Sequence, residues 1–427
     1  MKKLIILLLF PLLGLSQVIS NEFYIGDPLP DAPLLSKRGK HKVGVKTLKL
    51  VNENQLDILI SNKDENVLYD RPLTIEIWYP ASLKSEEKEE VVYDQVMGNF
   101  SDPNRPLIPF QFKGRAKRDA TPDSSIGASP LVVVSHGYTG SRFLFTYLTE
   151  NLASKGYIVV AIDHTDSTFQ DANAFNSTLL NRSLDVLFVI DEVAKLNEDP
   201  SFFLKGLVDA NNAALIGYSM GGYGAVNIAG GGYSEKAVQF FAAASKGNNA
   251  LEKRMMGNKA FHDSFDSRFK AMVAMAPWGM EYNVWDAEGL KGIKTPTLFV
   301  AGSKDDISGY EMGVKAIYDG AVNCERYLLT YLNARHNIAP NPPTSDVMQE
   351  GLHIDEYLRY ADSVWDQRRI NNINQHFITA FLGVKLKNKV DFLPYLDANA
   401  LEKQEPWEGF LPRTSIGLEF KSSNVLK

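Results

Sequence analysis

From Leu131 onward the sequence alternates short, wholly apolar runs with stretches of helical periodicity, and this alternation constrains the fold more than any other feature. "LVVVSH" precedes "RFLFTYLTENLASKG", "IVVAID" precedes "LDVLFVIDEVAKL", and "AALIGYS" precedes "GAVNIAG". Three more strand-like runs follow, "FKAMVAMAP", "TPTLFVAG" and "ERYLLTYL", and the helical "INNINQHFITAFLG" closes the series. A strand that is apolar on both faces must be covered on both, and interleaved helices supply that cover. The pattern predicts an α/β fold with a mostly parallel, doubly wound sheet. With 44% hydrophobic and 22% charged residues over 427 positions, the chain can bury a large core and is neither disordered nor fibrous in composition.

The opening "MKKLIILLLFPLLGLSQ" joins two lysines to an apolar run from Leu4 to Leu13 and to small residues at Gly14 and Ser16. This is the pattern of a signal peptide over residues 1–16, and the run is short for a membrane span. The expected protein is therefore secreted or periplasmic, with residues 17–427 forming one domain. The runs "KVGVKTLKLV", "LDILIS" and "LTIEIWYP" predict a β-rich N-terminal decoration over about 40–130, ahead of a core over about 131–390. Pro80 to Pro130 reads as a long surface excursion, the irregular stretch at about 231–267 as a candidate cap, and about 389–427 as a surface strap or assembly element. The net charge is −6, or −8 without Lys2 and Lys3, which argues against a nucleic-acid partner. Cys324 is the only cysteine, so neither an intrachain disulfide nor a thiolate metal cluster is expected.

"GYSMGGYG" places Ser219 between Gly217 and Gly221, behind a strand and ahead of a helix. So sharp a turn needs small residues two positions to either side, and it holds a serine hydroxyl above the C-terminal edge of the sheet. A serine hydroxyl is a weak nucleophile, so a histidine base and an orienting acid are required, in chain order Ser, acid, His. Asp305, in "AGSKDDISG", and His336, in "NARHN", each follow a successive strand at its C-terminal end, where α/β sheets carry their sites. Asp306 is the rival acid; His353 follows no strand. Backbone N–H donors for a developing oxyanion are expected from Met220, at the start of the helix, and from Tyr138, in the loop after "LVVVSHG". His136, Asp163, His164 and Asp166 read as residues that order loops beside the site. Tyr138 and Trp278 are expected to form aromatic walls on opposite sides of Ser219.

"SHGYTGSR", "IDHTDS", "GYSMGG", "RPLTIEIWYP" and "GRAKRDATP" resemble the α/β-hydrolases grouped with platelet-activating-factor acetylhydrolases and predicted dienelactone hydrolases. "GYT" at 137–139, "SMGG" at 219–222, "APW" at 276–278 and "ARHN" around His336 are also similar to bacterial cutinases and polyester hydrolases. The resemblance implies Ser219 as nucleophile, His336 as base, Tyr138 and Met220 as oxyanion donors, and hydrolysis of short-acyl, lipid-like or polyester-like esters without a cofactor or metal. In the mammalian acetylhydrolases the acid follows the strand that here ends in "APW", where this chain carries Ala276, so the acid is expected one strand later, at Asp305, as in cutinases. Dienelactone hydrolases use a cysteine nucleophile, so their lactone substrate is not implied. A peptidase or amidase with the same three residues, or a non-catalytic binding protein on the same fold, are the alternatives.

Overall fold

The computed structural model describes residues 24–98, 102, 104–399 and 406–425; the expected leader over 1–16 lies outside them. Nine strands build the main sheet: β1 (Lys42–Leu56), β2 (Leu68–Ser82), β3 (Ser129–Ser135), β4 (Ile158–Asp163), β5 (Val208–Tyr218), β6 (Phe269–Met275), β7 (Thr297–Gly302), β8 (Arg326–Tyr331) and β9 (Leu418–Ser423). Their order is β9-β8-β7-β6-β5-β3-β4-β2-β1, and two-residue strands at Lys117–Arg118 and Thr121–Pro122 pair with β1 and β2. The six strands β3 to β8 run parallel, and antiparallel partners flank them on both sides.

The wholly apolar runs found in the sequence are these parallel strands, and their alternate residues feed two cores. Val132, Val134, Ala214, Ile216, Val273 and Val300 face one side, where they meet Leu148 of α1 (Thr146–Ser154) and Phe377 and Phe381 of α4 (Gln367–Lys387). Leu131, Val133, Leu215, Met272, Ala274 and Phe299 face the other, against Val186 and Ile190 of α2 (Phe175–Glu198) and Val226 of α3 (Met220–Ile228). Period-two side-chain alternation thus fills both layers from one set of strands. Among the described residues, no helix is long and apolar enough to cross a membrane. Cys324 is buried, and that burial pushes its thiol up to about 12.

Two expectations for the flanking segments need correction, and the C-terminal strap gains a defined place. "LDILIS" leaves β1 at Leu56 and turns: Leu59 N donates to Asp57 Oδ1 at 3.1 Å and Ser61 N to the Asp57 carbonyl at 2.9 Å. The aspartate side chain takes the backbone bond that a strand partner would have supplied. The excursion between Pro80 and Pro130 holds an ordered hairpin, Val91–Met97 with Ile108–Gly114, whose Tyr93, Met97, Phe110 and Phe112 are buried against the α1 side of the sheet. The C-terminal strap supplies β9, which pairs with β8 from Leu418 to Ser423 and covers that sheet edge.

A buried polar chain pins the hairpin down. Trp78 Nε1 donates to the Tyr93 hydroxyl at 2.8 Å, and that hydroxyl donates to Glu150 Oε1 at 2.6 Å. Burial pushes the Glu150 carboxyl up to about 7, against the pull of Arg38 and of the Tyr93 hydroxyl and Arg115 amide. The folded protein therefore holds a proton at Glu150 that the unfolded chain, with an ordinary carboxyl near 4.5, has already lost between pH 4.5 and 7. Bound protons in excess in the folded state mean that this group's contribution to stability falls as pH rises through that window. Urea unfolding of the wild type and Glu150→Gln at pH 5, 6, 7 and 8 is expected to show a loss of stability with rising pH that the glutamine variant lacks. Parallel curves for the two proteins would contradict it.

Candidate active site

Ser219 sits between the end of β5 and the start of α3 with φ 53° and ψ −111°, a left-handed conformation that costs energy for any residue with a Cβ. The surroundings hold it there: its N–H donates to the Met275 carbonyl at 2.9 Å, and its carbonyl accepts from Trp278 N at 3.1 Å. A Cβ on Gly217 would lie 2.1 Å from the Gly221 carbonyl oxygen, and one on Gly221 would lie 2.0 Å from that of Ser135. Both glycines are therefore required by contact, as the turn chemistry predicts.

The structure brings together three residues far apart in the chain. His336 Nε2 lies 3.0 Å from Ser219 Oγ, and His336 Nδ1 lies 2.9 and 3.0 Å from the two carboxylate oxygens of Asp305. All three are buried, with 6%, 6% and 7% of the surfaces of Ser219, His336 and Asp305 exposed. Asp305 Oδ1 also accepts from Ile307 N at 2.9 Å and Ser308 N at 2.8 Å, which fixes the carboxylate in the loop after β7. A carboxylate held in this way keeps the imidazole proton on Nδ1 and leaves Nε2 to accept from the serine hydroxyl. The neighbouring Asp306 turns away to Arg335, a half-exposed pair. Burial raises its carboxyl, but the Arg335 hydrogen bond and charge outweigh that and hold it below the usual range. His353 caps the short helix Ile354–Leu358 instead of approaching the site.

Met220 opens α3, where the first amides have no intrahelical acceptor and carry the positive end of the helix dipole. The loop after β3 touches the serine: a Cβ on Gly137 would lie 3.2 Å from Ser219 Cβ, which brings the neighbouring Tyr138 backbone to its side.

Behind that loop lies a buried polar chain that sequence reasoning grasped only in part. Arg71 on β2 donates from Nε and Nη2 to both oxygens of Asp185 on α2, at 2.7 and 3.0 Å, and from Nη1 to Asp166 at 3.2 Å. Asp185 accepts from His164 Nδ1 at 2.9 Å, and His164 Nε2 accepts from Ser135 Oγ at 2.8 Å. His164 N donates to His136 Nε2 at 3.2 Å, while His136 Nδ1 donates to the Gly137 carbonyl at 2.6 Å and Arg182 Nη1 to the His136 carbonyl at 2.5 Å. Burial holds His164 down to about 3 and His136 well below its ordinary value, so both rings are neutral and each fills one donor and one acceptor role. Arg142 pairs with Asp163. His136, Asp163, His164 and Asp166 thus order the loops beside the site. Arg71, Arg182 and Asp185 are the members that went unforeseen: Asp185 looked like any polar position of an amphipathic helix.

The cavity over Ser219 has a volume of about 300 Å³ and is lined by Tyr138, Tyr218, Ile307, Arg335, Asn337 and Arg359 among others. Residues 231–267, expected as a candidate cap, contribute nothing to this lining; their side chains engage α2, α3 and the turn after β1 instead. The cover comes from the segment around Asp355–Arg359, tied down where Asn337 Nδ2 donates to the Leu358 carbonyl at 2.6 Å. Two facing aromatic walls do not form. Tyr138 packs edge-on against Phe175, with centroids 5.4 Å apart, and Phe175 packs edge-on against Trp278 at 5.1 Å, which in turn stacks on Tyr282 at 4.7 Å. The first residue of α2 joins the two expected walls into one row, and Trp278 does not line the cavity.

The family model described as "PETase: PET hydrolase-like" matches residues 120–250. "Cutinase est2" of Thermobifida alba is 24% identical over 210 residues, which is 49% of this chain and 53% of that protein. "Bis(hydroxyethyl) terephthalate hydrolase" of Streptomyces coelicolor is 24% identical over 247 residues, 56% of this chain and 61% of that protein. The chain spans about half the length of the first of these curated relatives. The solved structure of a ferulic acid esterase from Streptomyces cinnamoneus aligns with a TM-score of 0.56 at 19% identity, covering 93% of this chain and 98% of that one. That likeness, with the parallel sheet above, shows the α/β-hydrolase fold. The similarities bear out the cutinase and polyester-hydrolase side of the motif resemblance.

Gly221 is a helix position at which alanine would ordinarily stabilise by about 1 kcal/mol. Here the contact with the Ser135 carbonyl reverses the sign, and Gly221→Ala is expected to destabilise by about 3 kcal/mol, the scale of overpacking into a rigid site. A thermal melt that matched or exceeded the wild type would show that the turn has room to spare.

Proposed function

We propose that the protein is a serine hydrolase of carboxylic esters in which Ser219 is the nucleophile, His336 the general base and acid, and Asp305 the orienting carboxylate. The observation that carries this reading is the hydrogen-bonded chain from Ser219 Oγ through both nitrogens of His336 to Asp305, on a strained turn at the C-terminal edge of the sheet. Ser219 Oγ would attack the ester carbonyl as its proton passes to His336 Nε2. The carbonyl oxygen would gather negative charge before the Met220 and Tyr138 amides, and the C–O bond to the alcohol would break as His336 returns the proton to it. Water, deprotonated by the same nitrogen, would then split the acyl-serine ester and release the acid. Every proton in this cycle moves through one imidazole, so no metal or cofactor is required.

The named activities of the similar proteins, cutinase, terephthalate diester hydrolysis and ferulic acid ester cleavage, support an ester over an amide substrate. Of the aromatic row from Tyr138 through Phe175 and Trp278 to Tyr282, Tyr138 lines the cavity over the serine and offers an aromatic contact suited to an acyl chain or an aromatic unit. The basic and apolar leader over residues 1–16 supports export.

Initial rates on p-nitrophenyl acetate, butyrate and hexanoate, set beside p-nitroacetanilide, test the reaction class. Ester turnover without measurable anilide turnover is expected; the reverse would establish an amidase. Within the ester series Asp305→Asn is expected to lower kcat by roughly 10⁴-fold, since it presents the wrong hydrogen-bonding partner to the imidazole. Asp306→Asn, which breaks only a half-exposed pair with Arg335, is expected to change kcat by less than about threefold. The opposite ranking would move the acid by one position.

A further inference from the structure

A second cavity, about 240 Å³ in volume, opens at the far end of α3 from Ser219, between that helix and residues 254–265. It is lined by Arg254, His262 and Lys294, by the apolar Met256, Phe261 and Phe265, and by no carboxylate. Arg254 is only 6% exposed, yet among the described residues it has no acid within ion-pair distance. Its Nε donates to Asn227 Oδ1 on α3 at 2.5 Å and its Nη1 to Ser264 Oγ at 3.3 Å, while Nη2, without a protein partner among the described residues, keeps some solvent access. The nearest acids of the same segment are engaged elsewhere: Glu252 accepts from Asn249, and Asp263 pairs with Lys259. The carbonyl end of α3 offsets at most about half a charge. A buried guanidinium with only neutral hydrogen-bond partners is costly, and the usual remedy is a carboxylate or phosphate that takes its free N–H groups.

We propose that this cavity is a binding site for an organic anion, an aryl carboxylate whose charged end meets Arg254 and Lys294 and whose ring packs against Met256, Phe261 and Phe265. The guanidinium fork matches a carboxylate geometrically, and Lys294 and His262, both exposed at the rim, supply further positive potential with no competing acid in the lining. Phe261 already lies over the guanidinium, with its ring centroid 5.3 Å away, so an apolar wall and the charge are adjacent. Ser219 and this cavity are separated by the length of α3, about 13 Å, so occupancy here does not depend on the reaction proposed for the serine.

Fluorine NMR titration of the full chain with 4-fluorobenzoate tests the site, with 4-fluorobenzamide as its uncharged counterpart and inorganic phosphate as a competitor. Saturable benzoate binding is expected, weakened roughly tenfold or more both by Lys294→Glu, a charge reversal at the rim, and by Arg254→Met. The benzamide is expected to bind more weakly than benzoate, and phosphate to compete poorly. Circular dichroism checks the fold of Arg254→Met; should that variant unfold, the exposed Lys294→Glu decides alone. Absence of saturable binding, unchanged affinity in Lys294→Glu, or benzamide binding as tight as benzoate would overturn the proposal. Phosphate competing as strongly as benzoate itself would overturn the aryl part, leaving a site for small anions.

Discussion

The approach of α3 to the end of β3 is the constraint on which the site depends. With 2.0 Å between a notional Cβ of Gly221 and the Ser135 carbonyl oxygen, helix and strand approach too closely to leave room for any side chain. That closeness forces the turn between them into a conformation that serine does not prefer, and so lifts Ser219 Oγ clear of the sheet. It also presses the loop after β3 against the serine, because Gly137 leaves from the same strand end. Position of hydroxyl, helix N-terminus and neighbouring loop therefore follow from one contact.

Such a contact needs a stiff partner, and the buried chain from Arg71 to Ser135 provides one. Two neutral imidazoles, His164 and His136, link strand ends and loop through their donors and acceptors, and Asp185 closes the chain against Arg71. Burial raises the Asp185 carboxyl, but Arg71 and His164 outweigh it and hold it at about 2, so its charge stays matched to the arginine. A low-dielectric network of this kind is rigid where its members are satisfied: both ring nitrogens of His136 and of His164 have partners, whereas Arg182 Nε and Nη2 are buried without one among the described residues.

The parallel sheet was legible because strands buried on both faces leave unbroken apolar runs, and the position of the serine because its turn demands glycine at two fixed offsets. His336 and an acid at Asp305 or Asp306 could be placed from strand order, since loops at strand C-terminal ends converge on the same edge, but the choice between the two aspartates needed the Arg335 pair that the structure shows. What could not be read depends on contacts between distant segments. The hairpin around Tyr93 buries only alternate residues, so Pro- and Asp-rich flanks hid it. Asp57 turned an apolar stretch out of the sheet by a local side-chain bond. Phe175, which joins Tyr138 to Trp278, is one aromatic among many until α2 is packed. The buried cation Arg254 lies in the irregular stretch read as a candidate cap, and nothing local in the sequence shows that it packs against Asn227 of another helix.

The account stands on Ser219 being an activated nucleophile. Treatment of the protein with a fluorophosphonate, followed by peptide mass spectrometry, reads that property without presuming a natural substrate. Stoichiometric phosphonylation of the peptide containing Ser219, abolished in His336→Ala, is the predicted result. A protein that stays unlabelled while folded, or that carries the label on a different serine, would contradict it.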